Sequence, residues 1–160
     1  RSNSTGAEGG GVKIVYCDGV VALDDITASG NTAGTQGGAL YVRSPQKVTF
    51  TNSSASANSA GSDGGAILIK ANHAIDLSNL TVSSNEAGDD GGGLYITADD
   101  SLVATPTVNL ENSTFTNNDA DNDGGGIYFF ELNAAYLTGL TIQGNIAGAQ
   151  QGASTRQGGG

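Results

Sequence analysis

The stretch Asn58-Ser-Ala-Gly-Ser-Asp-Gly-Gly-Ala-Ile67 lies mid-chain and returns with small changes. One step earlier it reads Asn31-Thr-Ala-Gly-Thr-Gln-Gly-Gly-Ala-Leu40. Later it reads Asn85-Glu-Ala-Gly-Asp-Asp-Gly-Gly-Gly-Leu94 and Asn118-Asp-Ala-Asp-Asn-Asp-Gly-Gly-Gly-Ile127. Looser copies begin at Asn3 and Asn145. The anchoring asparagines at 3, 31, 58, 85, 118 and 145 are separated by 28, 27, 27, 33 and 27 residues. A fixed period of this size marks a repeat array in which each unit stacks on its predecessor.

Working outward from each anchor, apolar residues recur in columns. Ten and eight residues before it stand Val21/Val48/Ile75/Val108/Ala135 and Leu23/Phe50/Leu77/Leu110/Leu137. Five and three before it stand Ile26/Ser53/Leu80/Ser113/Leu140 and Ala28/Ala55/Val82/Phe115/Ile142. Nine and eleven after it stand Val12/Leu40/Ile67/Leu94/Ile127 and Ile14/Val42/Ile69/Ile96/Phe129. Paired positions two apart follow the strand period, and no segment sustains a helical one. The pattern predicts an all-β, right-handed parallel β-helix with three short strands per coil and about five coils of ~27 residues. Residues 1–160 form one domain, a piece of a longer stack, with 153–160 a degenerate or linker-like end.

Two corners of the coil carry asparagine. The column six before the anchor reads Asp25, Asn52, Asn79, Asn112 and Gly139, all types that tolerate left-handed backbone. The anchors Asn31, Asn58, Asn85, Asn118 and Asn145 mark the second corner, where stacked amides can hydrogen-bond along the axis. The longer repeat places its six extra residues in Ala98–Pro106, between strands one and two.

Composition narrows the function. Glycine makes up 26 of 160 residues, which would suggest disorder were it not periodic. A net charge of −10 argues against nucleic acid as a partner. No run is long and apolar enough for a transmembrane helix. The single Cys17 excludes an internal disulfide and a cysteine-based zinc site.

Gly37-Gly-Ala-Leu40 and Gly64-Gly-Ala-Ile67 resemble the GGA[ILV] motif of polymorphic outer membrane proteins, and Phe115-Thr-Asn-Asn118 resembles their FxxN motif. Val82-Ser-Ser-Asn85 and Ile142-Gln-Gly-Asn145 are variants of the latter, and residues 91–93 and 124–126 read GGG. The resemblance implies an autotransporter-like passenger, extracellular or outer-membrane-associated, with adhesion as its role. No membrane barrel lies within these residues.

Function then rests on the outward columns. Ten after the anchor stand Lys13, Tyr41, Leu68, Tyr95 and Tyr128, a stripe suited to a host or neighbouring-cell glycan or protein. Between strand residues of the third face lie Thr27/Ser54/Thr81/Thr114/Thr141 and Ser29/Ser56/Ser83/Thr116/Gln143. This hydroxyl array resembles the TxT faces of β-solenoid ice-binding proteins, an alternative function. Asp89, Asp90, Asp119, Asp121 and Asp123 form an acidic edge that is a candidate calcium (Ca2+) site, although Phe130 stands where an EF-hand needs its bidentate Glu. No cofactor is required.

A polysaccharide lyase or hydrolase is the third alternative, since such enzymes use parallel β-helices. The chain is expected not to be an enzyme: His73 has no relay partner, Cys17 has no companion His, and Arg43 and Lys70 share a column without an adjacent carboxylate. Sequons at Asn3, Asn52, Asn79 and Asn112 follow largely from the corner pattern itself. Uncapped coil edges at either end point to end-to-end self-association or to further coils.

Overall fold

A computed structural model describes residues 2–44, 46–99 and 104–148. Every strand pairing in it is parallel, and neighbours along the axis come from successive repeats. The first sheet contains Val12–Val15, Leu40–Ser44, Ile67–Ala71, Leu94–Thr97 and Ile127–Phe130. The second contains Val21–Asp24, Val48–Thr51, Ile75–Ser78, Thr107–Glu111 and Ala134–Thr138. The third contains Thr27–Ser29, Ser54–Ser56, Thr81–Ser83, Thr114–Thr116 and Thr141–Gln143. The chain is therefore a β-solenoid of about five coils, and the apolar columns come into register, as in Ile67 on Leu40 and Leu94.

The structure corrects the strand count. Each coil has a fourth strand of only two residues, directly after the anchor: Ser4–Thr5, Thr32–Ala33, Ser59–Ala60, Glu86–Ala87, Asp119–Ala120 and Ile146–Ala147. Two residues cannot show an alternation. Its inward position is a single small one, with Ala33, Ala60, Ala87, Ala120 and Ala147 all buried. Alanine there lets this narrow wall approach the core closely.

The core is the line of inward columns, including Val42, Ile69, Ile96, Val48, Ile75, Val108, Phe115 and Leu110. Two serines interrupt the column Ile26/Ser53/Leu80/Ser113/Leu140, yet both are satisfied. Ser53 Oγ donates to the Thr51 carbonyl and accepts from Ile26 N–H, at 2.6 and 2.9 Å. Ser113 does the same with the Glu111 carbonyl and Leu80 N–H. A buried hydroxyl with both partners costs little, so serine alternates with leucine at this corner.

The corners behave as the residue types predict. Asp25, Asn52, Asn79, Asn112 and Gly139 all have positive φ, between +48° and +65°. A second left-handed column, Gly30, Ala57, Ser84, Asn117 and Gly144, lies just before each anchor. Sequence alone hides it because Ala57 and Ser84 do not favour that conformation. At the third corner Gly65 is held by space: a Cβ there would sit 2.3 Å from the Gly92 carbonyl oxygen of the next coil.

The anchor asparagines form one continuous buried ladder. Each uses its backbone N–H and Nδ2 to donate to Oδ1 of the next, from Asn31 to Asn58 to Asn85 to Asn118 to Asn145, at 2.8 to 3.1 Å. Their remaining amide hydrogens reach carbonyls such as Ala28, Ala55 and Val82. The ladder fixes the rung register from inside. The expected degenerate end at 153–160 lies outside the described residues.

Candidate functional site

The column of Lys13, Tyr41, Leu68, Tyr95 and Tyr128 is outward but is not an open shelf. Tyr41 is buried and Leu68 is 0 % exposed, while Tyr95 and Tyr128 are half-buried. The turn preceding the first sheet folds over this column. At Gly64 the backbone has φ +64°, and a Cβ would stand 2.8 Å from the Leu68 Cβ. Only glycine permits that cover. The expectation of a stripe accessible along its whole length is thus corrected. What reaches solvent is Lys13 at one end and, at the other, a short half-buried aromatic step, Tyr95 against Tyr128, with ring centroids 5.3 Å apart.

That same turn carries the acidic edge, so two features separate in sequence share one corner. Burial, with Asp63 and Asp90 nearby, pushes the Tyr95 hydroxyl up to about 12. Burial and the neighbouring carboxylates Asp89, Asp63 and Asp123 raise the Asp90 carboxyl, although Asp123 N–H donates to its Oδ1 at 3.0 Å. Asp89 Oδ1 accepts from Asn122 Nδ2 at 3.0 Å, and Asp63 Oδ2 accepts from Gln36 Nε2 at 2.6 Å. Asp119 keeps one buried oxygen without a partner among the described residues. Asp121 stands at the exposed tip of the turn. Among the described residues no three His, Cys, Asp or Glu side chains converge on a metal-sized site. Of the acidic edge, Asp89 and Asp90 accept hydrogen bonds from the neighbouring coil.

The third sheet differs from both. Its register places Thr27, Ser54, Thr81, Thr114 and Thr141 in one axial rank. Ser29, Ser56, Ser83, Thr116 and Gln143 make the second. Ranks two residues apart on a strand and rungs one strand spacing apart give a lattice of about 4.8 by 7 Å. Thr27, Ser29, Thr81, Thr141 and Gln143 are exposed, Ser54, Ser56, Ser83, Thr114 and Thr116 are half-buried, and none is charged. A parallel polar ladder borders the lattice: Asn79 Nδ2 donates to Asn52 Oδ1 at 2.9 Å, and Asn52 Nδ2 to Asp24 Oδ1 at 2.8 Å. Thr51 and Asn52 together lower the Asp24 carboxyl. The outer asparagines are solvent-exposed, whereas the anchor asparagines are buried. The two asparagine columns, equivalent in sequence, thus do different work.

The basic residues mostly brace the coils. Arg43 stacks over the Tyr16 ring, 5.0 Å from its centroid, and donates to the Tyr16 hydroxyl at 2.7 Å. Its Nε pairs with Asp99, a partner 56 residues away at the start of the long loop. Sequence reading missed Asp99 because no column contains it. Lys47 pairs with Asp76 at 2.5 Å, and Asn109 donates to the same carboxylate. Those two contacts hold the Asp76 carboxyl below its ordinary range. Lys13 pairs with Glu8 and lies 5.9 Å from the Tyr41 ring centroid. His73 is exposed in the loop between first and second sheets, and Cys17 packs beside the core as a free thiol.

A family model described as a right handed beta helix region matches residues 1–158. No curated protein and no solved structure matches the chain. Among the described residues no helix is long and apolar enough to cross a membrane.

Proposed function

This chain belongs to the right-handed β-helix family, and from that premise we propose that it is a non-catalytic structural and adhesive module. It offers a flat face of the solenoid to an extended partner, a glycan or a protein on a neighbouring surface. The contact surface is the third sheet rather than the tyrosine column. One observation carries this choice: the two ranks, Thr or Ser on four successive rungs with Thr141 and Gln143 on the fifth, are in register, outward and uncharged. Short hydroxyl side chains lose little rotamer freedom on contact, and repetition multiplies weak hydrogen bonds. Placement on a cell surface or in secretion, as an autotransporter-like passenger, is supported by the likeness of residues 37–40 and 64–67 to the GGA[ILV] motif.

The test is binding of the purified chain to a glycan array and to live cells. Thr81→Lys with Thr114→Lys removes binding on this reading, while Tyr95→Ala with Tyr128→Ala preserves it. Unchanged binding in the lysine pair would remove the third face from the proposal.

A second reading is favoured by the same lattice. Hydroxyl ranks at about 4.8 by 7 Å can order water in a regular array, as an ice-binding face requires. Inhibition of ice recrystallisation, lost in Thr81→Tyr with Thr114→Tyr, supports it. Ice growth unaffected by the native chain rejects it.

A further inference from the structure

One ammonium of this chain shows what the acidic turns and the first-sheet column hold together. Lys13 Nζ lies 3.1 Å from the Glu8 carboxylate and 5.9 Å from the Tyr41 ring centroid, between a turn acid and an aromatic ring. The glycine after that acid packs on the lysine: a Cβ on Gly9 would stand 2.8 Å from Lys13 Cβ. The same turn recurs up the stack. A Cβ on Gly91, next to Asp90, would stand 3.0 Å from Tyr95 Cβ. One on Gly124, next to Asp123, would stand 2.7 Å from Tyr128 Cβ. All three glycines have φ between +61° and +69°. Coils four and five therefore join a turn carboxylate to a tyrosine in the way the first coil joins Glu8 to Lys13.

At these coils the chain supplies no cation of its own. Among the described residues the ion pairs are Lys13 with Glu8, Arg43 with Asp99 and Lys47 with Asp76, and none reaches Asp63, Asp89, Asp90 or Asp123. Asp63, Asp90 and Asp123 stand on successive rungs about 4.8 Å apart, where like charges repel and a shared cation is favoured. The tyrosines sit within this field: burial, with Asp90 and Asp123 beside it, raises the Tyr128 hydroxyl as it does that of Tyr95. Their rings are tilted by 35°, so they do not lie flat upon each other. Phenol rings attract ammonium groups, and their apolar surface takes methylenes. A bare metal ion uses neither property, and among the described residues no three acidic side chains converge on one. We propose that this corner binds a linear polyamine, its ammonium groups along the carboxylate column and its methylene chain against Tyr95 and Tyr128. Charges repeat along the ligand as they do along the solenoid axis, so weak contacts add. The site lies on the first sheet and is independent of the hydroxyl lattice on the third.

The test titrates spermidine into the whole 160-residue chain by calorimetry, with magnesium chloride at matched ionic strength as the comparison. The expected result is saturable spermidine binding that magnesium does not reproduce. Tyr95→Leu with Tyr128→Leu should weaken it about tenfold, because the rings are lost while the carboxylates stay. Asp90→Asn with Asp123→Asn should weaken it by a similar factor. Tyr95→Phe with Tyr128→Phe keeps the rings and should keep most of the affinity, which separates lost contact from lost folding. Each variant is checked for native circular dichroism. Absence of saturable binding overturns the proposal. So does an affinity that the leucine pair leaves unchanged or that magnesium matches, since either result reduces the corner to a solvated acidic edge.

Discussion

Asn85→Ala should be among the most costly single substitutions in this chain. Asn85 Oδ1 accepts from Asn58 N–H and from Asn58 Nδ2, both at 2.9 Å. Its Nδ2 donates to Asn118 Oδ1 at 2.8 Å and to the Ala55 carbonyl at 3.1 Å. Truncation leaves Asn58 N–H without its acceptor in a buried position, which costs about 1–3 kcal/mol. Asn58 Nδ2 retains its bond to the Ala28 carbonyl, and Asn118 Oδ1 retains Asn85 N–H. Those groups and Ala55 are weakened rather than orphaned, at about 0.5–1.5 kcal/mol each. The total is about 2.5–7.5 kcal/mol. The control is Asn79→Gly, which deletes a bond of the same 2.9 Å length in the exposed ladder and keeps the left-handed backbone permissible. Water replaces the lost partner there, so its cost stays under about 1 kcal/mol. Urea unfolding followed by circular dichroism measures both. Equal losses in the two variants would refute the reasoning, because burial would then not decide the value of the ladder.

Ala57 holds φ +52° without the freedom of glycine, so Ala57→Gly should raise stability by about 1 kcal/mol in the same urea titration. Asp90→Asn should raise the melting temperature at neutral pH. The folded carboxyl sits above its ordinary value, so the stability it contributes is present in acid and is lost as pH rises through the folded value. The advantage of Asn over Asp should therefore shrink toward zero below the unfolded value of about 3.9. Tyr95 is pushed up to about 12, above its ordinary value of 10.0, so stability falls as pH climbs from about 10 to about 12. An ultraviolet titration should show this phenolate appearing only with unfolding, and Tyr95→Phe should blunt the alkaline loss.

The coil was legible in the sequence because its determinants repeat. Inward columns, left-handed Asp/Asn/Gly corners and the anchor asparagines each recur at one period, so each rung reinforces the same reading. Features that do not repeat were illegible. Asp99 reaches Arg43 from the irregular long loop, and no spacing announces that pairing. The two-residue fourth strand is shorter than the alternation that would reveal it. Exposure was the hardest property to read. Leu68 and Thr81 both occupy outward positions, yet a glycine turn covers Leu68 and nothing covers Thr81. Alternation assigns a side chain to a face, whereas cover depends on where a neighbouring turn folds back.

On the proposed function, contact is made by the hydroxyl lattice of the third sheet. The most direct measurement compares glycan-array and cell binding of the native chain with Thr81→Lys/Thr114→Lys and with Tyr95→Ala/Tyr128→Ala, each checked for native circular dichroism. The expected outcome is binding lost in the lysine pair and kept in the alanine pair. Binding kept in the lysine pair and lost in the alanine pair would contradict it and return function to the aromatic step beside the acidic turn.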